Sequence, residues 1–585
     1  MGKLFYFHNE IIVYPPKNVE LLTARDYNIE GLEGGTMAQP NLIFILIDDL
    51  GRQDLGIYGS TFYETPNLDR FASEGMLFTN AYAACPVCSP TRASLMSGQY
   101  PARVGVTNWI GTQGYGGCHP NKGQVIDAPY IDHLPLEVTN LPTTLSEAGY
   151  QTWHVGKWHL GDEPYYPKKQ GFDVNIGGCH FGHPPYGYFS PYNLPGFENG
   201  PDGEYLTDRL TSEAINLINQ RDPEKPFYLN LSYYSVHNPI DAPEEDIQYF
   251  KEKAHKLGLD LKNPFMQGEY FPSMHKRHLR ILRRIIQSNP YYAAMVFALD
   301  RNIGKLLDHL ESSDLVNDTI VIFYSDNGGL ATSEGSPTSN LPLSEGKGWM
   351  YEGGTREPLM IRWPGHIEPK SQCDVPVITP DFFPTLVELA GGKMPENQVC
   401  DGESLVKLFH GETELERDAI FWHYPHYGNQ GGCPAAAIRM GRYKLIRFFH
   451  NDNEELYDLE RDISEESDLS ALIPEIRQEL SKRLDRWINE INAIKPTPNP
   501  EYDGYNDDNG HRIANPISKF DLETPVGILL HDMKAKAILD EYIDYANKYQ
   551  LWAIRGCIDH TLDQLESFFG DRLPEIKRRL AELNS

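Results

Sequence analysis

The chain has 585 residues, 40% of them hydrophobic and 11% aromatic, which is long enough for a large core and more than one domain and excludes global disorder. Its formal net charge of −30 excludes bulk attraction to nucleic acid or anionic membranes, and any anionic substrate would need a locally positive pocket. Eight irregularly spaced cysteines give no disulfide framework, and no run approaches the roughly 18 apolar residues of a membrane span.

In chain order, residues 1–36 open with Met1-Gly2-Lys3-Leu4-Phe5, but His8, Asn9 and Glu10 interrupt any apolar signal region and no small-residue cleavage site follows. The segment is expected to be an extension, Met37 standing just before the first strand. A cytoplasmic location is then the literal expectation, with a periplasmic or secreted one if the start is mis-assigned. Asn41–Ile47 is a continuous apolar run, which predicts a central strand buried on both faces. It ends in Asp48-Asp49, two carboxylates that cannot both be buried unpaired. They read either as a strand-end cap or as a cation site, at the carboxyl end of a strand where open α/β sheets place ligands.

Asn67–Glu74 reads as a short helix. Pro86-Val87-Cys88-Ser89-Pro90-Thr91-Arg92 then sets a thiol four residues before a permanent cation, with a proline between them. Pro90 fixes its own φ and pushes Ser89 toward extended geometry, so the chain is expected to turn after the cysteine and become helical from Thr91. Cys88 would lie near a helix N-terminus, where amides and dipole favour anions, and Arg92 adds a fork suited to a tetrahedral oxyanion. Cys85 and Cys88 also form C-x-x-C, which reads equally as a redox pair or half a zinc site, although no second C-x-x-C exists.

Leu141–Ala148 is predicted helical, and Tyr150–Val155 a strand that runs into Gly156-Lys157-Trp158-His159. Lys157 and His159, two apart, share a face in extended geometry. A helix over 207–220 precedes the strand Pro226–Tyr234 and the loop Ser235-Val236-His237. A long helical segment near 290–312 precedes the strand Thr319–Tyr324, which ends in Ser325-Asp326-Asn327; Lys347 follows between glycines, and Pro358–Trp363 is a further strand. Strands alternating with helices indicate an α/β fold with a large, mostly parallel sheet flanked by helices. Asp48, Asp49, Asp326 and Asn327 all follow buried strands and offer oxygen ligands, a set suited to Ca²⁺ or Mg²⁺ rather than zinc.

Two of these segments resemble the signatures of the type I, formylglycine-dependent sulfatases of the alkaline phosphatase superfamily. Pro86, Cys88, Pro90, Thr91, Arg92 and Gly98 fit the first signature, and Ser97 stands where threonine or alanine is commoner. Gly149–His159 fits the second throughout, and the resemblance runs from about Gln39 to Pro496. It implies an alkaline-phosphatase-like sheet with a smaller C-terminal antiparallel sheet plus helix. It implies that a maturation enzyme oxidises Cys88 to formylglycine, whose hydrate attacks sulfur with one hydroxyl and releases sulfate by deprotonation of the other. It also implies one divalent metal, Ca²⁺ with Mg²⁺ as the alternative, held by Asp48, Asp49, Asp326, Asn327 and an oxygen of the modified Cys88. In the implied roles Lys157 and the metal hold sulfuryl oxygens, Arg92 orients the hydrate, His159 is the base of the second step, and His237 and Lys347 serve the leaving group. The expected activity is hydrolysis of an aryl or carbohydrate sulfate. The alternatives are a phosphate or phosphonate ester hydrolase on the same fold, whose relatives tend to use two metals, and a non-catalytic binding protein.

Beyond about residue 410 the pattern changes to strand material over Ala437–Phe449, with Arg447 read as a solvated position, and a helix over Ile473–Ile491. The expected divisions are 1–36, a catalytic domain 37–410, a subdomain 411–497, and a linker with helical extension 498–585. Leu573, Ile576, Leu580 and Leu583 recur at helical spacing, and the extension is expected to be a structural appendage or an oligomer contact. Two aromatic segments, Cys179–Tyr192 and Phe421–Tyr427, could equally well stack a substrate ring or pack between subdomains.

Overall fold

The computed structural model describes residues 39–111, 120–504, 524–530, 532–544 and 547–583. The predicted extension 1–36 and most of the linker lie outside the described residues. The main sheet is built from β1 (Asn41–Ile47), β2 (Met76–Tyr82), β3 (Gln151–Gly156), β4 (Val174–Ile176), β5 (Phe227–Ser232), β6 (Thr319–Ser325), β7 (Arg356–Arg362), β8 (Ser371–Cys373) and β9 (Val377–Ile378). Their order is β8-β2-β7-β6-β1-β5-β3-β4, with β9 also on β2. All neighbours are parallel except β7, which runs antiparallel to both β2 and β6.

The unbroken apolar run of β1 is explained by its central position. Ile43, Ile45 and Ile47 enter one core with the helices α2 (Leu206–Asn219) and α3 (Pro290–Ser312). Leu42, Phe44 and Leu46 enter a second core on the other face, with Phe382, Phe383 and Leu386. Successive side chains of a strand point to opposite faces, so a strand covered on both sides must be apolar at every position.

A second, antiparallel sheet of β10 (Ala419–Tyr424), β11 (Ala435–Met440), β12 (Tyr443–Phe448) and β13 (Glu454–Asp458) carries the helix α4 (Pro474–Glu490). Its core includes Trp422, Leu480 and Leu484 together with Cys85 and Val87 of the cysteine loop. The Phe421–Tyr427 segment is therefore packing between the two sheets. Trp422 Nε1 donates to the Ala83 carbonyl at 2.8 Å, and His426 Nε2 lies 2.8 Å from Thr107 Oγ1. Lys444 is buried between Glu352 and Glu465, at 2.9 and 3.0 Å. Arg447, expected to be solvated, pairs with Glu454 at 2.8 Å and with Asp485, because the opposing strand and α4 both bring carboxylates to it. The C-terminal helices have a small core of their own, including Leu573, Ile576 and Leu580, and they meet the body through Ile528 and Ile558 against Phe265 and Leu282.

Candidate active site

The carboxyl ends of the central strands are level: Leu46 of β1 stands opposite Ser232 of β5 and Tyr324 of β6, and Ile47 opposite Ser325. Whatever follows each strand therefore emerges on one edge of the sheet. Asp48 and Asp49 follow β1, and Asp326 and Asn327 follow β6. Lys157 follows β3, whose Gly156 pairs with Ser232. Gly156 has φ +99°, and a Cβ there would stand 1.9 Å from the Ser232 carbonyl oxygen, so only glycine lets the chain turn here. The Lys157 amide then donates to that same oxygen at 2.7 Å. Asp49 (φ +62°) and His159 (φ +58°) also adopt left-handed backbone, so Lys157 and His159 are not presented by an extended segment.

The helix that bears the cysteine, α1 (Cys88–Ser97), starts at Cys88 itself, three residues earlier than predicted, with extended Val87 as its cap. Pro90 falls in the first turn, where its missing N–H has no helical partner to lose. All ten residues of α1 are buried. Arg92, one turn along, donates through Nε to Asp326 Oδ2 at 2.8 Å and through Nη1 to the Lys157 carbonyl at 3.1 Å and Ser232 Oγ at 3.2 Å. Ser232 escaped the sequence reading; its only signal was its place at the end of a buried strand.

Each carboxylate of this floor has a cation. Lys157 Nζ donates to Asp48 Oδ2 at 2.7 Å, Arg92 holds Asp326, and Lys347 Nζ donates to Asp49 Oδ2 at 2.8 Å. Lys347 Nζ also lies 3.0 Å from His237 Nε2, whose ring Nδ1 is 2.9 Å from the Asn238 carbonyl. A carbonyl can only accept, so His237 carries its proton on Nδ1 and accepts from the ammonium at Nε2. His159 Nε2 is 2.6 Å from the Ile110 carbonyl and must be the protonated nitrogen, which leaves Nδ1 as a buried lone pair without a hydrogen-bond partner.

Burial, with Lys347 beside His237 and Lys157 beside His159, holds both imidazoles well below the usual histidine range, so both are neutral at neutral pH. Burial works against the charge on Lys347, but Asp49 together with the other acidic groups around it outweighs the burial and keeps it firmly protonated. Asp49 is correspondingly held far below the carboxylate range, since the ammonium of Lys347, with that of Lys157 beyond it, overcomes its desolvation. Asp48 moves the other way: burial, with Asp326 and Asp49 nearby, pushes it well above its ordinary value despite Lys157. Burial likewise raises the Cys88 thiol.

The donor set fits a hard divalent cation. Ligand atoms of Asp48, Cys88 and Asp326 lie within 4.8 Å of one another, as do those of Asp48, Asp49 and His237. Asp48 Oδ1 and Asn327 Oδ1 are buried oxygens with no hydrogen bond, a costly arrangement unless something else engages them. Three carboxylates against three cations sum to zero, so a divalent ion would leave the floor positive, as an anionic ester requires.

Above the floor is a cavity of about 740 Å³ lined by Cys88, His159, His237 and Lys347 among others. Asp48, Asp49, Arg92, Lys157, Asp326 and Asn327 lie behind this lining, all 4% exposed or less. The segment Cys179–Tyr192 divides: His180 and His183 line the cavity, the His183 ring stacked 5.9 Å from that of His237, whereas Tyr188 and Tyr192 are core. The C-terminal extension, expected to be an appendage, contributes Leu530, Arg555 and Ile558 to the same wall.

Residues 40–392 match the family described as Sulfatase, and residues 346–491 match the C-terminal region of N-sulphoglucosamine sulphohydrolase. The chain belongs to the sulfatase family. It is 31% identical over 536 residues to a sulfatase of Formosa agariphila, covering 78% of this chain and 90% of that protein. It is 33% identical over 431 residues to the human N-acetylgalactosamine-6-sulfatase, covering 70% and 72%. Among solved structures, Ps i-CgsB in complex with a neocarrahexaose superposes with a TM-score of 0.62 at 30% identity, over 77% of this chain and 93% of that one. The enzyme is a sulfatase, and sulfate ester hydrolysis is its chemistry. The two rival readings, a phosphohydrolase and a silent binding protein, lose their footing. Among the described residues no helix of this sulfatase is long and apolar enough to cross a membrane.

Proposed function

We propose that this sulfatase hydrolyses a sulfated carbohydrate, using formylglycine derived from Cys88 and one divalent cation, Ca²⁺ in preference to Mg²⁺. The observation that carries the reading is the convergence of Cys88, at the first turn of a buried helix, with the carboxylates of Asp48 and Asp326 within 4.8 Å. A buried thiol that stays protonated is poorly suited to attack sulfur, whereas an aldehyde hydrate at the same position supplies an oxygen nucleophile and a route to release. Asp48, Asp49, Asp326 and Asn327 would hold the cation, which as a Lewis acid would offset charge on the sulfuryl oxygens.

The chain's own groups divide the remaining work. Arg92, through Asp326, Ser232 and the Lys157 carbonyl, fixes the register of α1 and hence the position of residue 88. Lys157 keeps Asp48 oriented, and its charge adds to the field on the sulfate. Lys347 and His237 act as one unit facing the cavity, placed to stabilise and protonate the departing oxygen. His159 offers its free Nδ1 as the base of the second step. Gly182 packs over this ring so closely that a Cβ would lie 2.5 Å from His159 Cε1, which holds the imidazole in place.

The carbohydrate assignment is supported by a relative named for a sugar sulfate, by a solved relative in complex with a neocarrahexaose, and by a cavity of the size that binds small organic ligands. The test uses protein coexpressed with a formylglycine-generating enzyme and supplied with Ca²⁺. It follows anion release from N-acetylgalactosamine 6-sulfate, p-nitrophenyl sulfate and p-nitrophenyl phosphate. Sulfate release that scales with aldehyde content is expected. Release of phosphate alone, or full activity with an unmodified Cys88, would overturn the reading.

A further inference from the structure

The strand Arg280–Arg284 presents two consecutive arginines with opposite fates. Arg283 is bound by two carboxylates, Glu269 at 2.6 Å and Glu345 at 2.8 Å. Arg284 points to the other face, is only 6% exposed, and has no carboxylate partner among the described residues. Its Nε donates to the Ser336 carbonyl at 2.6 Å and its Nη1 to Ser288 Oγ at 3.1 Å, while Nη2 makes no hydrogen bond with a described residue. Burial without a counter-charge pushes this guanidinium down to about 10. The guanidinium carbon lies 4.5 Å from the Phe265 ring centre, a cation–π contact that offsets part of the burial cost but supplies no counter-charge. A buried cation without a counter-charge is expensive.

Arg284 lines the same cavity as Cys88. Beside it lies the N-terminus of the 23-residue helix α3, whose first turn and cap, Asn289 to Tyr291, also line that cavity. Pro290 has no N–H and the Tyr291 amide donates to Asn289 Oδ1 at 3.2 Å, so this end contributes the positive potential of the dipole rather than a set of free amides. Arg555 of the C-terminal extension stands at the same wall, its guanidinium 3.5 Å from the Tyr291 ring centre. Glu334, the lining carboxylate among the described residues, is engaged by Gln430 Nε2 at 2.8 Å.

We propose that Arg284, held by Ser288 beside the positive end of the α3 dipole, forms a subsite for a second anionic group of the substrate, a carboxylate or a further sulfate that is not hydrolysed. The inference rests on the carbohydrate reading above and sharpens it: the preferred substrate is a sulfated sugar that carries another acid. Two arguments support it independently. The fork of Arg284 has a free edge in a low-dielectric wall, which matches a planar or tetrahedral oxyanion. The whole chain bears −30, so a doubly anionic substrate gains entry only where such local positive groups are arranged for it.

The test compares three ligands that differ at one point: a monosulfated N-acetylgalactosamine–glucuronate disaccharide, its uronate methyl ester, and the same ester with a second sulfate. kcat/KM is measured for the parent protein and for Arg284→Gln and Arg284→Lys. On the parent protein, one of the two dianionic ligands should outperform the ester by roughly tenfold or more, the range of a charged hydrogen bond. Which one does so identifies the anion as carboxylate or sulfate. Arg284→Gln should abolish that preference through KM while the ester is turned over as before, and Arg284→Lys should restore part of it. Equal kcat/KM for all three ligands on the parent protein overturns the subsite whether or not the variants fold, as does a preference that survives in Arg284→Gln. Failure to release sulfate from any of the three would instead overturn the carbohydrate reading.

Discussion

On the floor of the cavity each carboxylate is tied to a cation, Lys157 on Asp48, Arg92 on Asp326 and Lys347 on Asp49. On the outer wall Arg284 has no such partner, and the surrounding residues come from the short strand that carries it, a helix start and the C-terminal extension. The two regions face the same space under different physical constraints. The floor is fixed before any ligand arrives, which is what electrostatic preorganisation demands of groups that meet the reacting sulfate. The wall retains unspent polar capacity, which is what selection among substrates demands, because a buried group left unpaired by the wrong ligand penalises that ligand. A variant on the floor should thus alter turnover of every sulfate ester, and one on the wall should alter the ranking among them.

The largest effect is expected at Cys88. Cys88→Ala should lose at least about 10⁴-fold in kcat/KM on every substrate, as removal of a nucleophile does. Its thermal midpoint should stay close to that of the parent, since few atoms leave. Cys85→Ala, whose residue packs in the core between the two sheets, should keep most of its activity. Mass spectrometry of the segment Phe71–Arg92 should find the aldehyde at Cys88 and a thiol at Cys85. An intact thiol at Cys88 in fully active protein would break the distinction between reactive floor and passive core at this point.

Asp48→Asn comes next. The change keeps the side-chain volume but strips the charge from an oxygen that has no hydrogen bond and from the partner of Lys157. Calcium content should fall, and activity with it by about 10³-fold, in parallel with chelation of the parent protein. Breaking the buried pair should also cost roughly 3–5 kcal/mol in stability. Full metal occupancy in the variant would refute the cation site.

The floor was legible in the sequence because its residues are local accidents on regular elements. Asp48-Asp49 and Asp326-Asn327 stand out as polar ends of apolar strands, and the Cys88 motif has its own spacing. The buried strand β1 was legible for the same reason. The wall was not legible: Arg284 lies in a strand of only five residues whose sequence, Arg-Ile-Leu-Arg-Arg, gives no sign that one arginine is doubly paired and its neighbour is not. That difference is set by Glu269 and Glu345, 14 and 62 positions away. Nor does the extension's own helical pattern reveal that Leu530 and Ile558 reach the cavity, since a stripe of leucines specifies burial and not what is buried against it. The early start of α1 was missed because a proline in a first turn suits a helix as well as it suits a turn.

A third, smaller contrast separates Lys347 from Arg447, both basic and both paired. Lys347→Ala should lower kcat/KM by about 10²- to 10³-fold, because its ammonium faces the cavity and supports His237. Arg447→Ala should stay within about twofold of the parent in kcat/KM and cost about 1 kcal/mol in stability, the range of partly exposed ion pairs. Comparable losses of activity at the two positions would mean that the division between floor and scaffold is drawn in the wrong place.

The smallest effect is expected where the extension meets the body. Ile528 is 6% exposed and packs in a four-residue apolar cluster with Phe265, Leu282 and Ile558, whereas the extension's helices keep a separate core of their own. Ile528→Ala removes methylenes from the joint alone and should weaken the docking of the extension by roughly 2–4 kcal/mol without touching the main sheets. Hydrogen exchange should then quicken over 524–583 while β1, β5 and β6 keep their protection. Because that segment supplies part of the wall and none of the floor, kcat on p-nitrophenyl sulfate should hold steady and KM for the sulfated disaccharide should rise several-fold. An equal loss on both substrates would mean that the extension supports the floor after all. No change in KM despite faster exchange would mean that Leu530, Arg555 and Ile558 line the cavity without selecting what enters it.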